Sequence, residues 1–239
     1  MAQSDIIFIQ GIQDSEEKLH TNLLDSLNTY YEGTSGISNA YSVVASQRLG
    51  TSTLEQYAYY YRNDKVKLVH HYLYNDAGND YPYDPMVAYF SPINGIGLHG
   101  DMQDFFIIGA RTRASSATRS MTDKLVDVHA DALTKFPLVT NGIILGDLFA
   151  DCSYICASCF DAIRLWTDEQ YTWIIDADTT TTASDCAFDR LVVTGNQMKT
   201  QTIAAVVDFK MMYNLNDSMA RSVSTHFPVT MPICESNQV

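Results

Sequence analysis

The sequence predicts a layered α/β domain in which two β-sheets pack face to face. Three observations support this fold class. Short apolar runs bounded by turn residues outnumber helical patterns along the 239 residues. Two long amphipathic patterns, at 15–27 and 116–136, fall between groups of predicted strands. Hydrophobic residues make up 46% of the chain and charged residues 18%, which is typical of a globular protein with a sizeable core.

The first half of the chain is predicted to be mostly strand. DIIFIQ (5–10) is a nearly uninterrupted apolar run, typical of a buried strand. SEEKLHTNLLDSL (15–27) places four leucines at helical spacing after a Ser and Asp cap, so it is predicted to be a helix. Runs rich in Tyr and Val have strand propensity and come next, at 41–49, 55–62, 65–74 and 86–92.

The second half alternates strands with helices. FFIIGAR (105–111) and NGIILGD (141–147) are predicted to be buried strands, and 116–136 between them is a long amphipathic helix. ASCFDAIRLW (157–166) is predicted to be a short helix. The remaining predicted strands are at 171–176, 189–195, 204–209 and 226–231. No repeat or long linker interrupts the chain, so 1–239 is interpreted as one domain.

Charge and hydropathy narrow the class of protein. The net charge is −13, from 28 acidic and 15 basic residues, so a basic footprint for phosphates is absent and DNA binding is disfavoured. The acidic balance agrees with calcium binding and an extracellular setting. No stretch approaches 18 apolar residues, so no membrane span is expected. MAQSDIIFIQ lacks the basic start and long apolar region of a signal peptide.

The chain has an odd number of cysteines, at 152, 156, 159, 186 and 234. At least one thiol is therefore free or bonded to another molecule. Cys156 and Cys159 form a C-x-x-C, which is consistent with a redox pair, half a zinc site, a disulfide or two buried thiols. No second C-x-x-C accompanies it. Asn216 begins an Asn-Asp-Ser sequon that permits glycosylation.

Several motifs in the same order resemble those of the deoxyribonuclease I family, and together they cover nearly the whole chain. The segments are DIIFIQ, the LG…EQY…YRNDKV hairpin, GNDYPYDPMVAYFS, NGIILGDLFADCSY, DADTTTTASDCAFDR and VSTHFPV. The resemblance implies a four-layer α/β/β/α sandwich of two packed mixed sheets. It also implies cleavage of DNA phosphodiesters with a divalent metal, in which a His–carboxylate pair activates water.

The resemblance places four catalytic residues of the family on this chain. Asp147 is the strand-end Asp of the G-D motif, and Asp189 is the Asp of C-A-F-D-R. His226, in T-H-F-P, matches the family's final His and is the expected partner of Asp189. Glu55 matches the carboxylate that orients the family's second His. A residual acid–base pair and an ordinary surface contact are both open for Asp189 and His226.

Other positions depart from the family's pattern. Gly11 replaces the metal-binding Glu, and Gln13 replaces an Arg two residues later. Phe149 replaces the Asn of the strand-end motif, and Thr225 replaces the Asp before the final His. Arg111 replaces the second catalytic His, and Tyr83 replaces a DNA-contacting Arg. One acid–base group alone contributes about 10²–10⁴-fold to a rate. The sequence therefore predicts a scaffold whose catalytic residues are insufficient.

The resemblance also implies structural calcium sites and a disulfide. One candidate ligand set is Asp178, Thr180 and Ser184; a second set is Asp76, Asp80 and Asp84. Ordinary turns are the alternative interpretation of both loops. Cys152 and Cys186 match the family's disulfide, which implies an oxidising, secreted location.

The family has a strand and a helix before the segment that corresponds to 5–10, and this chain starts at that segment. An inner strand without its neighbour exposes backbone donors and acceptors. We therefore expect a protein partner, or further copies of the chain, to cover the 5–10 edge by strand addition.

Three functions are compatible with the sequence. The preferred one is a catalytically degenerate protein with a structural or binding role in an extracellular assembly, with Tyr-rich strands such as YAYYY as adhesive surfaces. The alternative is a divalent-metal-dependent DNA endonuclease that uses Glu55, Asp147, Asp189 and His226 and requires Mg²⁺. The third is a redox or metal module formed by C-A-S-C.

Overall fold

The computed structural model of the protein describes residues 4–93, 102–200 and 203–233. The strands in these ranges are β1 Ile6–Ile12, β2 Tyr41–Ala45, β3 Gln56–Arg62, β4 Val66–Leu73, β5 Tyr83–Pro92, β6 Phe105–Arg111, β7 Asn141–Asp147, β8 Tyr171–Trp173, β9 Asp189–Thr194, β10 Ala205–Val206 and β11 Val229–Thr230. The α-helices are α1 Leu19–Ser35, α2 Thr118–Lys135, α3 Arg164–Thr167, α4 Asn196–Lys199, α5 Phe209–Met212 and α6 Asp217–Val223, and Ala157–Ala162 is a 3₁₀ helix.

The strands form a small sheet, a large sheet and a two-stranded ribbon. The small sheet is antiparallel, in the order β1-β3-β2. The large sheet has the order β4-β5-β6-β7-β9-β8, in which β6 and β7 run parallel and the other neighbours antiparallel. The long helix α2 makes the crossover from β6 to β7, as a parallel pair requires. β10 and β11 form the ribbon.

The two sheets and the two long helices form four layers. α1 covers the outer face of the small sheet, where Leu27 packs with Tyr60. α2 covers the outer face of the large sheet, where Leu125 packs with Ile144. The facing sides of the two sheets enclose the largest aromatic core, which includes Tyr59. The predicted four-layer sandwich is confirmed, with mixed pairing in the large sheet and antiparallel pairing in the small one.

The tyrosines of YAYYY are not an exposed adhesive surface, so that prediction is wrong. Tyr57, Tyr59 and Tyr60 are each at most 1% exposed. They belong to β3, the central strand of the small sheet, whose two faces are covered by α1 and by the large sheet. Their hydroxyl groups remain satisfied inside the core, because Tyr59 donates a hydrogen bond to the Met86 carbonyl at 2.9 Å.

Several predicted element boundaries are corrected by local contacts. The first helix begins at Leu19 rather than at 15, because the Asp14 carboxylate accepts hydrogen bonds from the Lys18 and Leu19 amides and holds the preceding turn. The predicted helix at 157–166 is interrupted at Ile163, which is extended and fully buried. The strand predicted over 41–49 ends at Ala45.

Two disulfides are present among the described residues. Cys152–Cys186, implied by the resemblance, is formed with a Cα–Cα distance of 6.0 Å. Cys156 and Cys159 are also bonded, with a Cα–Cα distance of 5.0 Å, so the disulfide alternative for C-A-S-C is the one adopted. Cys234 lies outside the described residues. Within the part of the chain that the structure describes, no helix has the length and apolar character needed to cross a membrane.

We predict that the two disulfides differ in their contribution to stability. Replacing Cys152 and Cys186 together by Ser should lower the free energy of unfolding by about 4 kcal/mol, because 34 residues separate them and a long loop is released in the unfolded chain. The Cys156→Ser, Cys159→Ser control should lose about 2 kcal/mol of its free energy of unfolding, because that disulfide closes a short loop with a sequence separation of only 3. Denaturant titration followed by tryptophan fluorescence measures both; equal losses would contradict the loop-length argument.

Candidate functional site

The ends of three adjacent strands of the large sheet form the candidate site. β6 ends at Arg111, β7 ends at Asp147 and β9 begins at Asp189. Asp147 and Asp189 are direct partners in the antiparallel pairing of β7 with β9, so their side chains are neighbours. Gly146 has a φ of +135°, and a Cβ there would lie 2.0 Å from the Ala110 carbonyl oxygen. Only glycine fits this position, which brings Asp147 close to the end of β6.

Asp147 is a buried carboxylate whose hydrogen-bonding capacity is only partly used. Its side chain is 1% exposed. Oδ1 accepts a long hydrogen bond from the Phe149 amide at 3.4 Å, whereas Oδ2 has no hydrogen-bond partner among the described residues. Burial raises the pKa of Asp147 to about 6, and the charge of Asp189 adds to the rise. The backbone amide of Asp147 donates to Gln10 Oε1 at 3.2 Å, which ties β7 to β1.

His226 and Asp189 form a partly buried pair. His226 Nδ1 lies 2.7 Å from Asp189 Oδ2, and the two side chains are 32% and 16% exposed. This hydrogen bond raises the pKa of His226, with burial acting in the opposite direction. His226 Nε2 lies 4.0 Å from Asp147 Oδ2. The pair therefore lies beside Asp147, and its geometry would allow it to hold a proton there.

Arg111 supplies the positive charge between the two most buried carboxylates of the site. Its Nη1 lies 2.5 Å from Glu55 Oε2, and its Nε lies 3.5 Å from Asp147 Oδ2. The Glu55 side chain is 5% exposed. The ring of Tyr83 lies beside the guanidinium, with 5.9 Å between Cζ of Arg111 and the ring centroid. The Arg111 amide donates to the Tyr57 hydroxyl at 3.0 Å, which fixes the backbone.

Gly11 lies beside this guanidinium. A Cβ at Gly11 would lie 3.8 Å from Arg111 Nη1 and 3.9 Å from Glu55 Oε2. The φ of Gly11 is +74°, so other L-residues at this position would be strained. The resemblance places a metal-binding Glu at this position. Here the residue is Gly11, and the Arg111 side chain lies against it. Gln13, two residues on, donates from Nε2 to Glu55 Oε1 at 3.0 Å.

The donor set of the site does not fit a divalent cation. Glu55 and Asp147 already face the guanidinium of Arg111, and Gly11 contributes no oxygen from a side chain. Among the described residues, one group of three His, Cys, Asp or Glu side chains has its ligand atoms within 4.8 Å of one another: Asp151, Cys152 and Cys186. The two sulfur atoms of that group are bonded to each other, so it is not a metal centre either.

Phe149 and Thr225 lie at the border of the site. Phe149 adopts a left-handed backbone with a φ of +47°. Its ring packs at 4.9 Å from Phe188 and 5.5 Å from Tyr154, between centroids, so it belongs to an aromatic group beside the strand ends. Thr225 is exposed, and its carbonyl accepts a hydrogen bond from the Ala183 amide at 2.9 Å. The Phe149 ring offers no ligand atom, and Thr225 offers a hydroxyl group where the resemblance expects a carboxylate.

The candidate calcium ligands lie in two loops, and the second loop adjoins the site, because the Asp189 amide donates to Thr181 Oγ1 at 3.0 Å. Asp76 and Asp84 are close enough that burial and the Asp76 charge together raise the pKa of Asp84. Asp76 also accepts from the Tyr81 amide at 2.7 Å, and Asp80 pairs with Lys124. The second set is solvent-exposed; its members are Asp178, Thr180 and Ser184.

Asn216 is exposed and caps a helix. Its Oδ1 accepts a hydrogen bond from the Met219 amide at 2.9 Å, which satisfies one of the free amides at the start of α6. The side-chain nitrogen to which a glycan attaches is a different atom. The cap is therefore compatible with glycosylation at this sequon.

Two contributors to the site were not identified from the sequence. Gln10 is part of an otherwise apolar strand and gave no signal beyond its polarity. Arg190 is 2% exposed and donates to the carbonyl groups of Ile175 and Ala150, which holds the loops on either side of the strand ends. Its position directly after Asp189 in a buried strand was the signal available, since a buried Arg needs several acceptors.

No family model matches the chain. Curated relatives do match it. Deoxyribonuclease-1 of Bos taurus is 33% identical over 240 residues, which cover 96% of this chain and 80% of that protein. Deoxyribonuclease gamma of Mus musculus is 33% identical over 244 residues, covering 97% of this chain and 75% of that protein.

Solved structures support the fold. The chain is similar to TDP2 of D. rerio complexed with a single-strand DNA product, with a TM-score of 0.60, 11% identity and coverage of 96% of this chain and 85% of that one. It is also similar to a mannosyl-6-phosphatase of Bacteroides thetaiotaomicron, with a TM-score of 0.53, 14% identity and coverage of 96% and 85%.

We predict that Asp147 destabilises the fold at neutral pH. Its pKa is about 6 in the folded protein and 3.8 in the unfolded chain. The loss of folding stability caused by ionising this buried carboxylate therefore develops as pH rises from 3.8 to about 6, and it is complete above that range. Asp147→Asn should therefore gain stability relative to the wild type between pH 4 and pH 7, by on the order of 2–3 kcal/mol.

Denaturant titrations at pH 4, 5.5 and 7 measure this difference. Asp161→Asn, which replaces an exposed carboxylate, is the control and should show no such dependence. A pH-independent difference between Asp147→Asn and the wild type would contradict the prediction.

Proposed function

Because the chain belongs to the deoxyribonuclease I family, we propose that it is a member that does not hydrolyse DNA and that has a structural or binding role in an extracellular assembly. One observation carries the proposal. The guanidinium of Arg111 lies between Glu55 and Asp147, against the position of Gly11. The positive charge of the site thus comes from a side chain of the protein rather than from a bound metal ion.

The chemistry of phosphodiester cleavage supports this function. A divalent metal in such reactions polarises a phosphoryl oxygen and lowers the pKa of bound water. A guanidinium can pair with a phosphate, but it cannot bind water as a ligand and activate it. Here the guanidinium is also engaged by two carboxylates, of which Glu55 is 5% exposed. The arrangement therefore favours a stable ion cluster over a hydrolytic centre.

The second candidate is a divalent-metal-dependent DNA endonuclease. It is favoured by the convergence of Asp147, Asp189 and His226 and by the names of the curated relatives. The His226–Asp189 pair could activate water, and Mg²⁺ would be required. Against this candidate stand the net charge of −13 and the loss of oxygen ligands at Gly11 and Phe149.

Disulfides and acidic loops support the extracellular part of the proposal. Cys152–Cys186 and Cys156–Cys159 are typical of an oxidising compartment. We include structural Ca²⁺ at the loop of Asp76 and Asp84, because two neighbouring carboxylates of this kind suit a hard cation. Glycosylation at Asn216 belongs to the same proposal.

We predict that the purified protein does not nick supercoiled plasmid DNA in the presence of Mg²⁺ and Ca²⁺. The wild type and His226→Ala should give the same background rate, because the metal-dependent step that His226 would assist does not occur. Gel electrophoresis over a range of protein concentrations measures nicking, with bovine deoxyribonuclease-1 as the positive control. Nicking by the wild type that is lost in His226→Ala would establish the endonuclease alternative instead.

We further predict that removing Arg111 creates a cation site. Arg111→Ala leaves Glu55 and Asp147 buried without a counter-charge, so stability in EDTA should fall by about 3 kcal/mol. Part of this loss should be recovered with Mg²⁺, which can replace the guanidinium.

Thermal unfolding with EDTA and with Mg²⁺ tests this response. Arg113→Ala, an exposed arginine two residues away, is the matched control and should respond as the wild type does. A Mg²⁺ response that is equal in all three proteins would contradict the role assigned to Arg111.

A further inference from the structure

The Cys156–Cys159 disulfide takes no part in the contacts of the candidate site. Cys156 is exposed, and Cys159 is half-buried in the first turn of the 3₁₀ helix Ala157–Ala162. The resemblance to the deoxyribonuclease I family implied the Cys152–Cys186 bond alone. A disulfide that reaches the solvent through one of its cysteines is open to attack by a thiolate.

The turn that carries this disulfide is anchored by packing on both sides of it. Ile155, directly before Cys156, is 2% exposed, and Phe160, directly after Cys159, is 7% exposed. The Phe160 ring lies 4.8 Å from the Trp166 ring, between centroids. The Cys159 amide donates to the Cys156 carbonyl at 2.8 Å, so a backbone hydrogen bond closes the same turn. The turn therefore does not depend on the disulfide alone, and reduction should leave it folded.

The surroundings of the other disulfide oppose thiol exchange. Cys186 is 7% exposed, so an attack on Cys152 would release a thiolate in a buried position, which is costly. A carboxylate oxygen of Asp151 lies within 4.8 Å of both sulfur atoms, and its charge disfavours a thiolate at either one. Among the described residues, no carboxylate forms such a group with the sulfur atoms of Cys156 and Cys159.

Ser158 distinguishes the two cysteines of the exposed disulfide. Its Oγ lies 3.4 Å from Cys156 Sγ. A disulfide sulfur has no proton to donate, so the hydroxyl group of Ser158 is the donor. The same hydrogen bond stabilises a thiolate on Cys156 once the disulfide is reduced. Exposure and this hydrogen bond together favour Cys156 as the sulfur that reacts with another molecule.

We propose that Cys156 and Cys159 form a thiol–disulfide exchange site that accepts two electrons from a dithiol. Cys156 exchanges with the dithiol, and Cys159 is the resolving thiol. The structure shows the oxidised form of the pair. This activity goes beyond the proposed function and does not depend on it.

The exchange has two steps. A thiolate of the dithiol attacks Cys156 Sγ, the bond to Cys159 breaks, and the Cys159 thiolate takes a proton from water. The second thiolate of the dithiol then attacks the dithiol sulfur of the mixed disulfide, which releases the Cys156 thiolate to be protonated. The dithiol loses two electrons and two protons and becomes a disulfide, and the pair gains them as two thiols. An external disulfide reverses both steps.

Thiol labelling of the native protein, mapped by peptide mass spectrometry, tests the proposal. The protein is incubated with dithiothreitol, and free thiols are blocked at intervals with N-ethylmaleimide. Cys156 and Cys159 should be labelled together, about tenfold or more faster than Cys152 and Cys186. Oxidised glutathione, added after dithiothreitol is removed, should restore the disulfide. Near-UV circular dichroism should remain that of the oxidised protein, because Phe160 keeps its tryptophan neighbours.

A pair of matched variants tests the two roles. Cys159→Ser leaves Cys156 without a resolving thiol, so oxidised glutathione should form a stable adduct with it. Cys156→Ser leaves the half-buried Cys159, and its adduct should form about tenfold more slowly. Labelling of Cys156 and Cys159 should be unchanged in Cys234→Ser, which tests whether the fifth cysteine takes part.

Reduced glutathione, at the same thiol concentration as dithiothreitol, separates a monothiol from a dithiol as the electron donor. It should reduce the wild type about tenfold less, because Cys159 attacks the mixed disulfide again before a second glutathione arrives.

Four results would overturn the proposal. These are no labelling of Cys156 and Cys159 unless denaturant unfolds the protein, equal rates for the two disulfides, and loss of the near-UV signal when this pair alone is reduced. The fourth, equal reduction by glutathione and by dithiothreitol, would remove the assignment to a dithiol.

Discussion

The burial of the Asp147 carboxylate is the constraint on which the rest of the site depends. A carboxylate that is 1% exposed must be neutralised or paired, because an isolated buried charge is costly. β7 ends at this residue, and the pairing with β9 places a second carboxylate, Asp189, beside it. Positive charge therefore has to come from neighbouring elements. Arg111 supplies it from β6, and the ring of His226, which is charged only when protonated, lies 4.0 Å away on the segment that precedes β11.

The proposed non-hydrolytic role rests on the way this charge is paired. A side-chain cation is tethered, cannot exchange with solvent and brings no coordinated water, whereas a divalent ion brings water that can be activated. Glu55 pairs with the guanidinium, and Gly11, which has no side chain to offer a ligand atom, lies beside it. The scaffold of the deoxyribonuclease I family is compatible with either solution. The same strand ends that could hold a reactive ion here hold an internal ion pair.

Much of the fold could be predicted from the sequence, and the exceptions have physical causes. Apolar periodicity located the major strands and α2, because burial on one or two faces leaves a direct pattern in the chain. The pattern could not show that β3 lies between two covering layers, so its tyrosines were expected on a surface. It also could not place the start of α1, which is decided by the Asp14 carboxylate, or the break at Ile163, which is decided by core packing.

The sequence by itself determined which residues are available: Asp147, Asp189, His226 and Glu55 are present, and Gly11 stands where a metal ligand was expected. The tertiary structure decided what they do together. Residues far apart in the chain meet only when β1, β6, β7 and β9 are assembled, so the contact of one guanidinium with Glu55 and Asp147 leaves no periodic signal in the sequence. The place of β1 in its sheet is similar, since the apolar run predicts a strand but only the sheet order shows that β3 is its neighbour among the described strands.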